Sequence, residues 1–330
     1  MVKRAAALIL MSTLAGSAFA YEFPCQKCHP AESKTQPLTA MSRAAFRSRD
    51  ADILKVYPSL RFSSGPYRYV IARDGDRITY SVNGGGKTLS AELLWAFGDG
   101  SMGQTYLYEY RGALYESQVS FYSALKGLDL TIGHRNPAQP NLELAAGRRL
   151  DQLEIKRCLG CHTTGTTPGV QCERCHENAE SHSRSFSSGP QASIPAKLSQ
   201  LGNEEVSDFC GQCHRTWQDV EANGPHNINN VRFQPYRIAT SKCYIASIRD
   251  KRISCVACHD PHQPAVIDAD YYDVKCRGCH TQSVSGKVKT CKVGQQGCVR
   301  CHMPKVDFPG GHFKFTDHRI RIVRGDSYPG

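Results

Sequence analysis

Seven times in this chain a Cys-x-x-Cys pair is followed directly by His: Cys25, Cys28 and His29; Cys158, Cys161 and His162; Cys172, Cys175 and His176; Cys210, Cys213 and His214; Cys255, Cys258 and His259; Cys276, Cys279 and His280; Cys298, Cys301 and His302. Two thiols at this spacing can add across the two vinyl groups of a porphyrin, and an imidazole in the next position can reach the iron. That is the attachment chemistry of c-type haem. Zinc is the competing chemistry, but a zinc ribbon needs tetrahedral sets of four ligands and has no use for His in that one slot. The chain has 13 His in 330 residues, so chance would fill the slot roughly one time in 25. All seven are filled, which implies seven covalently bound haem c groups with these seven His as proximal iron ligands.

Six His remain: His134, His182, His226, His262, His312 and His318. Imidazole is the usual sixth ligand where haem only carries electrons, so these are the distal candidates. His262 follows His259 by three residues in Cys-His-Asp-Pro-His, too close to reach round to the far face of the same porphyrin. It is therefore expected to serve a different iron, which forces two haems together. His182, six residues after His176, poses the same geometry. Six distal His cannot cap seven irons. Beyond the N-terminal 20 residues the Met residues are Met41, Met102 and Met303, and Met41 is the one suitably placed, for a His29/Met41 haem. The alternatives are Lys, an amine, or an open iron at which small molecules react.

Sixteen Cys less fourteen in the motifs leaves Cys243 and Cys291. In an oxidising compartment they are expected to pair, with a loop-closure gain of about 3–4 kcal/mol; a free thiol or a thiolate ligand is the alternative. Residues 1–20 read as a secretory signal: Lys3 and Arg4, an apolar stretch from Ala5 to Ala15, then Ala18-Phe19-Ala20 as a small-x-small cleavage site. No later segment reaches the length of a transmembrane helix. Both the signal and thioether chemistry point to the periplasm or the outer side of a bacterium. The formal charge of +11 drops to +9 without Lys3 and Arg4. Two propionates per haem remove about seven further charges when the irons are ferric and about fourteen when ferrous. The basic excess is thereby spoken for, and a nucleic-acid partner is excluded.

The motifs are spread unevenly. One stands near the N-terminus and six fall between Cys158 and His302. This divides the chain into a signal (1–20), a first haem segment (21–60), a β-containing segment (61–150) and a six-haem electron-transfer domain (151–330). Tyr67–Arg73, Asp74-Gly75 and Arg77–Val82 predict a hairpin with an Asp-Gly turn; Gly84-Gly85-Gly86 is a break; Gln104–Tyr110, Arg111-Gly112 and Ala113–Tyr122 predict a second hairpin. Leu142–Leu153 reads as a helix leading into Cys158. The fold class expected is a multihaem cytochrome c: short helices and coil packed around haems, with a small antiparallel β element near residues 60–125. Haem then replaces much of a side-chain core, so the haem-free chain is expected to be unfolded.

Cys158-Leu-Gly-Cys-His-Thr-Thr-Gly, Gly169-Val-Gln-Cys-Glu-Arg-Cys-His with His182 after it, Cys255-Val-Ala-Cys-His-Asp-Pro-His, and Cys298-Val-Arg-Cys-His-Met-Pro-Lys with Phe315-Thr-Asp-His318 resemble the multihaem cytochromes of the cytochrome c-554 family. Phe97-Gly to Leu107 and Thr131-Ile-Gly-His134 extend the resemblance over most of the chain. It implies closely packed haem pairs, mainly bis-His coordination and periplasmic electron transfer, with His182, His262 and His318 as distal ligands. The prototype has four motifs rather than seven, so haem order and redox partner do not carry over. The Cys-x-x-Cys-Lys site of related nitrite reductases is missing, and there is no eighth motif as in hydroxylamine oxidoreductases. The leading expectation is an electron carrier between redox proteins. Its rivals are an oxidoreductase acting on a small nitrogen or sulfur compound at one five-coordinate haem, and a subunit of a larger respiratory or haem-chain assembly docked through the β element.

Overall fold

The sequence alternates apolar and polar residues with period two from Tyr67 onward, and that alternation becomes a sheet. A computed structural model describes residues 25–134, 139–185, 197–247, 253–280 and 291–323. The expected export signal lies outside them. Nine strands form one antiparallel sheet: β1 (Ala45–Arg47), β2 (Ser59–Ser64), β3 (Tyr67–Asp74), β4 (Arg77–Gly84), β5 (Lys87–Phe97), β6 (Gly103–Tyr110), β7 (Ala113–Tyr122), β8 (Gly127–Leu130) and β9 (Gly147–Arg149). Strands β2 to β8 pair in sequence order, β1 pairs with the end of β5, and β9 pairs with β7. β2 and β8 come together at the far ends of this path, so the sheet nearly closes into a barrel. Register shifts at Leu93/Trp95 and Thr105/Leu107 supply the local bending that closure needs.

The alternation sends Tyr69 and Ile71 of β3, Ile78, Tyr80 and Val82 of β4, and Tyr106 and Tyr108 of β6 inward, all nearly sealed from solvent. Each large side chain so buried contributes about 1.5–3 kcal/mol. The turns match the sequence signals. Gly85 and Gly86 both have positive φ, as do Arg111 and Gly112; such two-residue turns follow the right-handed twist of the strands. In the β3–β4 hairpin Asp74 pairs with Arg77, so the turn residues are Gly75 and Asp76, one place beyond the Asp74-Gly75 expected.

Two expectations are corrected. The chain is not a fold of short helices and coil around haems with a minor β element at 60–125. Its largest unit is the nearly closed antiparallel barrel, which runs from Ala45 to Arg149 and has its own continuous apolar core. The sheet's extent is hidden in the sequence because β1 and β9 are three residues each and carry no periodic signal of their own. Nor is Leu142–Leu153 one helix. A helix spans Leu142–Ala146, capped by Asn141, and the chain then becomes β9. Gly147 sits at φ 151° with its backbone against Glu116, where a Cβ would lie 2.0 Å from the Glu116 carbonyl oxygen. A second helix, Gln152–His162, starts at an Asp151/Glu154 capping box.

Beyond residue 150 the chain is short helices joined by loops, with small hairpins at Thr163–Thr164/Thr167–Pro168 and Lys305–Asp307/Lys314–Thr316. Among the described residues, no helix is long and apolar enough to cross a membrane.

Candidate metal centres

All seven Cys-x-x-Cys-His motifs are helical. Three occupy the last turn of longer helices, Gln152–His162, Asn203–His214 and Ala269–His280; four form single turns, Cys25–Cys28, Cys172–Cys175, Cys255–Cys258 and Cys298–His302. In the single turns the His N–H closes the turn, donating to the first Cys carbonyl at 2.7 Å for His29, 2.9 Å for His176 and 2.8 Å for His259. Positions i, i+3 and i+4 share one helix face, so both thiols and the imidazole are presented together.

The imidazoles then meet in pairs, each joining a motif His to a His outside the motifs. His29 and His182 have ring centres 6.4 Å apart, His176 and His262 are 6.0 Å apart with ring planes 4° from parallel, and His259 and His318 are 6.2 Å apart. An iron held at about 2 Å by one nitrogen of each ring separates two such ring centres by about 6 Å. The pairing crosses the sequence: His262 faces His176 rather than its near neighbour His259, and His182 faces His29 rather than His176. Among the described residues no cluster of three or more His, Cys, Asp or Glu forms a metal-ion cage.

Second partners orient several rings. The Nδ1–H of His162 donates to the Ala44 carbonyl at 2.8 Å, that of His302 to the Arg321 carbonyl at 2.7 Å, and that of His318 to the Thr316 carbonyl at 3.0 Å. This tautomer leaves the Nε2 lone pair for a metal. Burial pushes the His318 imidazole down to about 4 and also lowers His162. Burial, then the charges of His262 and His29, lowers His176. Neutral rings are the ligating form.

The barrel positions the second motif. Ala45, Trp95, Phe97, Leu107 and Leu150 form an apolar patch on which Ile155, Cys158 and Leu159 pack, and the Phe97 ring stacks on His162 at 4.6 Å. The third motif is held by the N-terminal segment. Val170 N–H donates to the Met41 carbonyl, and Gln36 donates to the Val170 carbonyl. Gly169, at φ 76°, lies so close that a Cβ there would stand 1.7 Å from the Ser42 carbonyl oxygen. Gly169→Ala is expected to cost at least about 2 kcal/mol, from the left-handed backbone together with the clash. Thermal denaturation of the variant checks this; an unchanged melting temperature would refute the packing.

The remaining candidates are placed elsewhere. Both ring nitrogens of His134 are engaged within the barrel, Nδ1 with Gln118 at 3.1 Å and Nε2 with Glu116 at 3.0 Å. Burial would raise the Glu116 carboxyl, but His134 and Arg148 outweigh it and hold it low. His312 Nε2 contacts Asp129 at 2.7 Å and its ring meets Tyr122 edge-on. His226 is exposed at the start of the turn Asn227–Arg232. Met41 is half-buried in the segment pinned to Val170. Cys243 and Cys291 are separate thiols, half-buried and exposed respectively; Cys243 lies near Cys258, Cys276 and Cys279.

Two carboxylates escaped sequence reasoning. Asp273, on the helix of the sixth motif, accepts from Gly297 N–H at 2.6 Å and Val299 N–H at 2.9 Å, capping the helix of the seventh. Asp317, beside His318, is fully buried against Arg237. Their partners are too distant in sequence for any local signal. No family model, curated protein or solved structure matches this chain.

Proposed function

We propose that this chain is a periplasmic heptahaem c-type cytochrome that passes electrons between redox proteins. The observation that carries this reading is the set of three crossed imidazole pairs at 6.0–6.4 Å, a spacing suited to one iron between two nitrogens. A second feature supports the fit. Residues after 150 leave large apolar side chains uncovered near the motifs, among them Leu153, Val274 and Ile267 at 55%, 55% and 88% exposure. A porphyrin face is the kind of surface that would cover them.

In this reading the fourteen motif thiols hold the haems covalently, the seven motif imidazoles ligate the irons, and His182, His262 and His318 cap three of them. Bound haem supplies reversible one-electron storage. The protein sets spacing, ligation and solvent access. Carbonyl partners on His162, His302 and His318 fix tautomers and strengthen imidazole donation, which favours low potentials. The crossing of His182 and His262 between segments brings neighbouring centres together, as transfer between them requires.

The mature protein is expected to exceed its polypeptide mass by seven haem groups and to give the pyridine spectrum of thioether-bound haem. An intact mass equal to the bare chain would end this proposal. The placement of His134 and His312 against carboxylates favours a second reading, in which an iron lacking an imidazole cap acts on a small nitrogen or sulfur compound. Spectral shifts on adding nitrite or hydroxylamine would support it; an entirely low-spin, unresponsive protein would not.

A further inference from the structure

The C-terminal segment Pro304–Arg321 returns across the helical region and touches two of the candidate centres at once. Its hub is Asp317, with no exposed surface. Arg237, 2% exposed, grips it with both edges of the carboxylate: Nε to Oδ1 at 2.9 Å and Nη2 to Oδ2 at 3.0 Å. Arg237 Nη1 also donates to Asn230 at 3.2 Å. Arg319 N–H donates to Oδ1 at 3.0 Å, and Arg321 Nη1 donates to Oδ2 at 2.5 Å. The backbone of Asp317 is tied down too, its N–H donating to the Pro304 carbonyl.

Two imidazoles are tied to this hub through the chain around it. On one side His318 turns its Nδ1–H to the Thr316 carbonyl and faces His259 across 6.2 Å. On the other side Arg321, held by Asp317, offers its carbonyl to His302 Nδ1–H at 2.7 Å. Ser241, fully buried, donates to the His318 carbonyl at 3.4 Å and accepts from Ile320 N–H at 2.8 Å. A buried, bidentate ion pair costs desolvation and is weak evidence for stability by itself. Its geometric rigidity is what it supplies.

We infer that Asp317, clamped by Arg237, is a positioning residue that aims His318 at the iron of the fifth motif and orients the His302 imidazole of the seventh. This rests on the haem reading proposed above. Without the clamp the tail is held by Ser241 and backbone hydrogen bonds alone, His318 leaves its iron, and His302 loses the carbonyl that strengthens its donation. Neither residue of the clamp is itself a candidate iron ligand.

The test is a graded series in the holoprotein: Asp317→Asn, Arg237→Lys, which keeps the charge but not the planar fork, and Ser241→Ala, the mildest. Lys314→Gln, which removes an exposed ion pair to Asp307 on the same tail, is the control. The expected result is one additional high-spin ferric iron by low-temperature EPR in Asp317→Asn, a fraction of one in Arg237→Lys, and none in Lys314→Gln. Added imidazole should return that iron to low spin, because it refills the vacated position. A second centre should rise in midpoint potential as His302 loses its partner. Haem content stays at that of the wild type throughout. If the variants that mature show a lowered melting temperature with unaltered spin states and potentials, Asp317 is a structural tie only and the inference is overturned. A wild type without covalent haem would instead sink the underlying reading, a result the mass measurement separates.

Discussion

Protein prepared without haem is expected to keep its barrel and lose the structure that follows. Among the described residues the barrel carries nearly all the apolar core: of the buried hydrophobic residues there, all but Val206, Val220, Val231, Tyr244 and Phe308 lie between Ala45 and Leu150. Those five side chains belong to neither of the two apolar core clusters, so little apolar burial holds the chain beyond 150 together without haem. In the barrel, Tyr80, Tyr106, Tyr108, Phe121 and their neighbours form one continuous cluster. The earlier expectation that the whole haem-free chain unfolds is therefore narrowed to the segment after Leu150. Limited proteolysis with mass mapping checks this on mature chain made where haem attachment does not occur. The expected pattern is a protected fragment from about residue 45 to about residue 150, with cleavage throughout 151–323. Equal protection of both parts would show that the helical part orders without haem.

If the haem reading proposed above holds, removing His262 should leave the iron held by the third motif without its second imidazole and leave that of the fifth motif unchanged. The prediction follows from the near-parallel His176/His262 pair and the separate His259/His318 pair. Its sharpest form is a comparison of His262→Ala, His318→Ala and the double variant by low-temperature EPR. Each single change is expected to convert one iron to high spin, and the double change two. If both side chains served one iron, the double variant would show no more high-spin iron than either single. Counts that fail to add would break the crossed assignment. Loss of a strong imidazole should also make the affected iron bind added cyanide, which the wild-type centre is expected to resist.

The Cys-x-x-Cys-His turns were legible because the whole device is local: five residues, one helical turn and one face. The β3–β4 and β6–β7 hairpins were legible for a similar reason, since a Gly at positive φ between alternating strands encodes its turn in two positions. The barrel as a closed object was not. β1 and β9 are three residues long and become strands only because β5 and β7 offer them unsatisfied backbone groups. The break at Gly147 depends on the Glu116 carbonyl, which comes close only through β7–β9 pairing.

From the sequence alone came the seven Cys-x-x-Cys-His motifs, the thirteen imidazoles and the expectation that His262 acts apart from its neighbour His259, because those rest on covalent spacing along the chain. Only the tertiary structure decided that His262 meets His176, that His182 meets His29, that His134 is taken up by Glu116 and Gln118, and that Asp317 is clamped by Arg237 eighty residues away. Those choices depend on which distant segments share a surface, and the packing of side chains between segments is a property that no window of neighbouring residues contains.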